Sequence, residues 1–293
     1  MKTHTTPLRG LAAAVIFALT APLASATLLV YEGFDYTTPS TMQYSGSGEI
    51  VDNSEDGAIS LTNVNSVTRV QNWMGGAMAD VRAGSLGYTD TNGISLPTSG
   101  NHAEMRNARG FRYNTDPFAA TGGTIYGSYL WQTSGLNDND EWRGFLDTRS
   151  GTDGLNVRIG VGLVNNTSTN LQVRLGGTNL DTGVALSENT TYFVVFRQDY
   201  DASGVLTDFS VWLNPSDLTT ETVPTVSYDN LTLGSGGFTG FSLQKDDLSG
   251  GEHPSFDEVR IGTTWEVVAI PEPSTLILLG ISLGSVALFR RRR

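Results

Sequence analysis

Two adjacent carboxylates, Asp257 and Glu258, break the run FDEVRI near the C-terminal end of the chain. Successive side chains of a strand point to opposite faces, so neighbours of this kind do not share a substrate. Retaining hydrolysis of a glycosidic bond needs two carboxyl groups about 5 Å apart in one groove, which alternate residues of a strand supply. No Glu-x-Asp occurs anywhere in the sequence. Asp257 and Glu258 therefore read as a sheet-edge feature, and no catalytic residue is assigned. Cysteine is absent and only three histidines occur, of which His102 and His253 lie away from the N-terminus. That excludes thiol catalysis, thiolate metal sites and a local zinc site built on two or three histidines. His-Glu-x-x-His and the phosphate-cradling Gly-x-x-x-x-Gly-Lys are also missing.

No cofactor is expected, and calcium is the ion the composition leaves open. Asn137, Asp138, Asn139 and Asp140 cluster in one polar stretch, Asp199 and Asp201 flank Tyr200, and Asp246 adjoins Asp247. Hard oxygen ligands on loops suit calcium, but none of these stretches has the spaced acids, the glycine and the closing glutamate of a strong calcium loop. They read as solvated turns, and the metal ligands stay unassigned. Trp73, Trp131, Trp142, Trp212 and Trp265 would stack on sugar rings if displayed on a concave sheet face. In a sandwich most tryptophans are core.

The elements that must carry these residues are strands. Leu155, Val157, Ile159, Val161 and Leu163 alternate with Asn156, Arg158, Gly160 and Gly162, and Leu171, Val173 and Leu175 alternate with Gln172 and Arg174. The polar cluster 165–170 between them predicts an antiparallel hairpin with one face in the core and the other in water. Further strands are expected over 124–131, 142–148, 190–197, 206–213, 238–243 and 256–261. Residues 192–196 are apolar on both faces, which places them in mid-sheet. Residues 28–31 are expected to pair near 265–268, while 74–82 and 101–108 have the length for short helices. Many short strands separated by Gly, Asn and Asp turns predict an all-β jelly-roll sandwich of two antiparallel sheets.

Both ends of the chain differ from this pattern. Lys2 and Arg9 precede the apolar stretch 11–20, and Ala24 and Ala26 bracket Ser25 in a small-x-small site. Charge, apolar run and cleavage site in that order predict an N-terminal signal helix over 1–26, cut by signal peptidase to leave Thr27 first. At the other end Pro271, Glu272 and Pro273 precede the uncharged segment 274–289, and Arg290, Arg291, Arg292 and Arg293 follow it. Sixteen helical residues reach about 24 Å against a hydrocarbon core of about 30 Å, a gap that thinning and snorkelling arginines close. A single transmembrane helix over 274–289 is expected, with the arginines cytoplasmic and the rest of the chain across the membrane. The prolines stop the helix and hold the joint extended.

Pro-Glu-Pro, an apolar segment and a basic terminus resemble the PEP-CTERM sorting domain of Gram-negative bacteria with exosortase systems. The resemblance implies that exosortase cuts near Pro271, Glu272 and Pro273, with the membrane holding 274–289 until then. The strings LLVYEGFDY, GGTIYGSYLW, TYFVVFRQDYD and SFDEVRIGTTWEVV are similar to exported bacterial proteins with a concanavalin A-like, laminin G-like sandwich, here over 27–270. Setting aside Lys2, Arg9, the four terminal arginines and Glu272 leaves that domain 12 basic and 29 acidic residues. Such a domain repels phosphate backbones, so nucleic acid is no partner. The leading expectation is a non-enzymatic protein of the cell surface or extracellular matrix. A carbohydrate-binding, lectin-like module meeting extracellular polysaccharide is the alternative, and a polysaccharide-active enzyme the third.

Overall fold

The computed structural model describes residues 26–34, 40–44, 50–52, 78–98, 100–132, 142–150, 157–164, 169–246 and 254–270. The strands begin with β1 (Leu28–Glu32), β2 (Ser40–Tyr44), β3 (Ile50–Asp52), β4 (Met78–Ala83) and β5 (Asn101–Phe118). They continue with β6 (Gly123–Gln132), β7 (Trp142–Ser150), β8 (Val157–Val164), β9 (Asn170–Leu175) and β10 (Thr178–Ala185). The last are β11 (Tyr192–Tyr200), β12 (Leu206–Leu213), β13 (Val226–Tyr228), β14 (Phe238–Asp246) and β15 (Ser255–Gly262), followed by the short helix α1 (Trp265–Ala269). Each strand pair is antiparallel.

Two sheets form the jelly-roll sandwich that the pattern predicts. The first runs β5-β15-β6-β11-β12-β13, with β1 beside β15 and β4, β2 and β3 beyond β5. The second runs β10-β9-β8-β7-β14-β5. The 18-residue β5 belongs to both: 101–107 pair with β4, and 108–118 pair with β14. A strand that leaves one sheet for the other makes a corner of the sandwich. Of the two stretches left open between strand and short helix, 101–108 is strand in β5 and 78–82 is strand in β4, while 74–77 lie outside the described residues. Polar residues there break the periodicity, and pairing on both edges of β5 decides the outcome.

The expected hairpin is present as β8 and β9, with Ile159 opposite Leu175 and Val161 opposite Val173. Val161, Leu171 and Val173 are buried between the sheets. The second face is not wet throughout, because Gln172 is also buried. Leu155 lies outside the described residues. Tyr192, Val194 and Phe196 of β11 face the interior, while Phe193 and Val195 face outward into a second core. That two-sided burial is what an apolar run in mid-sheet requires. Gly127 permits the closest approach inside: a Cβ there would run into the Phe196 ring. Across the interior the Tyr129 hydroxyl donates to the Val161 carbonyl at 2.8 Å, tying sheet to sheet.

A second apolar layer covers the outer face of the first sheet. Leu86 and Leu96 from the strap 84–98, Leu218 from the loop after β12, and Trp265, Val268 and Ala269 from α1 pack on Leu130, Val195 and Trp212. Residues 265–268 are thus helical, and β1 pairs with β15 just before them. Residues 1–25 of the expected signal helix over 1–26, and the segment 271–293, lie outside the described residues.

Candidate functional site

The two ends of the described body meet. Leu28 pairs with Gly262, the Thr27 amide donates to Thr263 Oγ1 at 3.0 Å, and the Thr263 amide donates to the Thr27 carbonyl at 3.0 Å. Ala26 is exposed immediately before this clasp. Of the predicted processing residues, Ala24, Pro271, Glu272, Pro273 and Arg290 to Arg293 lie outside the described residues. What is described is the platform from which both tails start.

On the C-terminal side that platform is α1. Its five residues carry Trp265, Val268 and Ala269 inward and Glu266 outward. The Trp265 indole N–H donates to the Leu218 carbonyl at 2.9 Å, and its ring meets Trp212 edge-on at 5.2 Å. The Ser128 hydroxyl of β6 donates to the Val268 carbonyl at 2.7 Å, satisfying a group at the helix end that has no partner within the helix. Full burial of a valine side chain alone is worth about 1.5–3 kcal/mol, so docking is the main support for so short a helix. The chain is therefore held by the core up to Ala269.

The acidic pair of β15 departs from expectation. β15 is flanked by β6 on one edge and by β5 and β1 on the other, so Asp257 and Glu258 are not at a sheet edge. Asp257 pairs with Leu130 and Arg260 with Ser128, leaving Glu258 and Val259 opposite Tyr129 alone. Glu258 takes φ 50° at this bulge, a conformation that costs a non-glycine residue about 1–3 kcal/mol. The extra residue keeps Phe256, Val259 and Ile261 on the interior face and turns both acids away from it. Alternation alone would have separated them, and no feature of the local sequence announces the bulge.

Both acids are spoken for within the protein. Asp257 Oδ2 accepts the Leu86 amide at 2.9 Å and Oδ1 accepts the Glu258 amide at 2.8 Å, which pins the strap to β15. Glu258 accepts from Arg260 at 2.8 Å and from the Tyr31 hydroxyl at 3.1 Å, while Arg260 also reaches the Pro97 carbonyl at 3.0 Å. Burial, and next the charge of Glu258, push the Asp257 carboxyl up to about 8. The Leu86 and Glu258 amides, whose hydrogen bonds this carboxylate accepts, pull the other way. Burial and Glu258 also raise Tyr31, keeping its hydroxyl a donor. Asp257 and Glu258 are 0% and 1% exposed, so both carboxyls are shielded from solvent.

The remaining candidates are placed as follows. Asp201 Oδ1 accepts the Ser203 and Val205 amides at 2.8 and 2.9 Å, closing a turn. Asp199 bonds Thr124 at 2.6 Å and pairs with Arg197 at 2.9 Å. Arg197 also pairs with Glu221 at 3.2 Å and lies over the Tyr126 ring. Residues 137–140, Asp247 and Trp73 lie outside the described residues, as do the side chains of Asp246 and Trp142. Trp131, Trp212 and Trp265 are buried, so none of these three stacks on a sugar.

Several solved structures are similar to this one. The endo-β-1,4-glucuronan lyase of the fungus Trichoderma reesei is 11% identical over 80% of this chain and 98% of its own, with a TM-score of 0.38. Domain 4 of AbnA, an extracellular arabinanase of Geobacillus stearothermophilus in complex with arabinotriose, is 13% identical over 83% and 97%, with a TM-score of 0.42. The carbohydrate recognition domain of Emp47p is 10% identical over 75% and 97%, with a TM-score of 0.39. No curated protein matches the chain in sequence. Residues 269–293 match the PEP-CTERM protein-sorting motif, so the chain carries, beginning at the last buried residue of α1, a segment that marks export and sorting to the cell surface.

Proposed function

We propose that this chain is an exported protein of the cell surface or extracellular matrix, processed at both ends and displayed as a sandwich without catalytic activity. In this reading 1–26 is a signal peptide removed after Ala26, 27–270 is the displayed domain, and 271–293 is the sorting signal. The span 274–289 anchors the chain transiently in the membrane, with Arg290, Arg291, Arg292 and Arg293 on the cytoplasmic side. Exosortase then cuts near Pro271, Glu272 and Pro273. The observation that carries the reading is the Thr27–Thr263 clasp, which sets the expected first residue of the mature chain beside the segment that leads into α1. Asp257 and Glu258, the one buried acid pair on β15, are engaged by Leu86, Tyr31 and Arg260, which supports a structural role for them.

Extracellular polysaccharide is the partner class such a display would meet. The test is terminal sequencing and intact mass of the protein recovered outside an exosortase-bearing Gram-negative host. A mature chain starting at Thr27 and ending near Pro271 to Pro273 is expected. An extracellular form that keeps Arg290 to Arg293 overturns the sorting reading.

A further inference from the structure

The outer face of the second sheet has an unusual floor. Val161, Val173, Phe241 and Leu243 face the interior, so Gly160, Gly162, Gln172, Arg174, Gly240 and Ser242, which alternate with them, hold outer positions. Gly160, Gly162 and Gly240 are buried, and so is Ser242 beside Gly240's row. Glycine weakens the interior of a strand, and where it stands there it marks a place that a ligand or another backbone approaches closely.

The strand register sets arginines across this floor. Arg149 of β7 is directly opposite Arg158 of β8, and on its other flank Arg149 meets Gly240 of β14. Like charges directly opposite each other destabilise an antiparallel pair. Arg174 follows on β9, one row along and opposite Gly160, and Arg109 of β5 is opposite Gln244. Strands lie about 4.8 Å apart, so the positions of Arg149, Arg158 and Arg174 span about 10 Å across the sheet. The rows through Gly240, Ser242 and Gln244 thus hold these four bases against two acids, Asp147 and Asp181. The whole domain has the reverse balance, 12 bases against 29 acids. Aromatic residues occupy the β5 end of the same rows, Tyr113 opposite Gly240 and Phe111 opposite Ser242.

We infer that the outer face of the second sheet binds an acidic polysaccharide: carboxylates of uronic-acid units meet Arg149, Arg158 and Arg174, and the sugar rings lie over the floor at Gly160, Gly162 and Gly240. The inference rests on the reading that the chain is displayed among extracellular polysaccharide, and it names the chemistry of that partner. The guanidinium fork matches a carboxylate with two parallel hydrogen bonds. A bound carboxylate also cancels the repulsion between Arg149 and Arg158. The acid elsewhere on the domain acts at long range, and physiological salt screens it beyond about 8 Å. A phosphate backbone, with one charge per about 1.7 Å, still meets more of that acid than a polymer with at most one charge per sugar.

The experiment measures binding of the purified full-length chain to polygalacturonate, to its neutral methyl ester and to dextran sulfate. Three variants are compared: Arg149→Gln with Arg158→Gln, Arg174→Gln alone, and Arg82→Gln, which removes an arginine paired with Glu104 on the first sheet. Polygalacturonate should bind, and its methyl ester should bind at least tenfold more weakly. The double variant should lose at least tenfold and Arg174→Gln about threefold, while Arg82→Gln binds as the unmodified chain does. Without polymer the double variant should melt no lower than the unmodified chain, since a repulsive pair is gone. If it does melt lower, Arg174→Gln carries the comparison. Equal binding of the ester, unchanged binding by the arginine variants of this face, or no binding of polygalacturonate overturns the inference. Binding of dextran sulfate alone overturns the carboxylate assignment. A chain with the expected processed ends that binds no acidic polymer overturns this inference and leaves the display reading standing.

Discussion

The interior of the sandwich and the layer outside the first sheet are both apolar and both buried, yet they are built differently. Inside, Tyr129, Trp131, Val173, Phe196, Phe209 and Phe241 come from strands, whose backbone groups are already paired by the ladders. Outside, much of the cover comes from the strap 84–98, the loop 214–222 and α1, whose backbone pairing is limited to short local bonds such as Asp90 to Ile94 and Leu96 to Tyr88. Side chains supply much of the rest. Asp90 accepts the Asn92, Ile94 and Leu218 amides at 2.9, 2.8 and 3.0 Å. Asn214 Oδ1 accepts the Phe193 amide at 2.8 Å, the Tyr88 hydroxyl donates to the Pro215 carbonyl at 2.8 Å, and the Trp212 indole donates to the Thr222 carbonyl at 2.8 Å. An interior held by ladders unfolds as a unit, whereas a cover held by single side chains opens locally.

The largest effect that separates the two regions is expected inside. Phe196→Ala should cost about 3–5 kcal/mol of global stability, read from the urea midpoint of the folded chain, because the ring sits against Gly127 with nothing to replace it. Opening confined to one sheet would break the claim that the interior is one unit. Asp90→Ala should cost less, about 2 kcal/mol, by leaving three amides without their acceptor. Hydrogen exchange should rise at Asn92, Ile94 and Leu218 while the β6 and β11 amides stay protected. If protection falls equally in β6 and β11, the outer layer is not a separate unit.

The effect that is smallest per step, spread over several pH units, concerns Asp257. Its folded value, about 8, lies above the ordinary 3.8 for an aspartate, so the folded state binds the proton more tightly than the unfolded chain. The resulting stability is fully present below about pH 4 and is lost as pH rises through about 8. On the order of 1 kcal/mol per pH unit is the upper bound on that slope. Melting temperature should therefore fall across this window, and Asp257→Asn should flatten the fall. An unchanged slope in Asp257→Asn would show that the burial of this carboxyl does not set the pH dependence.

Much of the inner core was legible because it follows from period-two alternation alone. β8 and β9 lie where Val161, Leu171 and Val173 demanded, and the apolar run at Tyr192 lies in mid-sheet. The outer layer was much less so. Trp265 and Val268 are equally consistent with a strand or a helix over four residues, and only their contact with Trp212 and Ser128 decides for α1. Gln172 looked solvated because neighbours distant in sequence, not adjacent residues, set its burial.

By itself the sequence determined the all-β class, the core face of the β8–β9 hairpin at Val161, Leu171 and Val173, the two-sided burial of β11, and a sorting segment whose chemistry is written in consecutive residues. Local order suffices there, since alternation and a tripartite tail are both read along the chain. The tertiary structure decided that β5 serves two sheets, that a bulge at Glu258 puts it and Asp257 on the same face of β15, and that Thr27 and Thr263 clasp each other. Each of these depends on which strand is paired against which, and that pairing is set by contacts between segments up to 236 residues apart, as at Thr27 and Thr263.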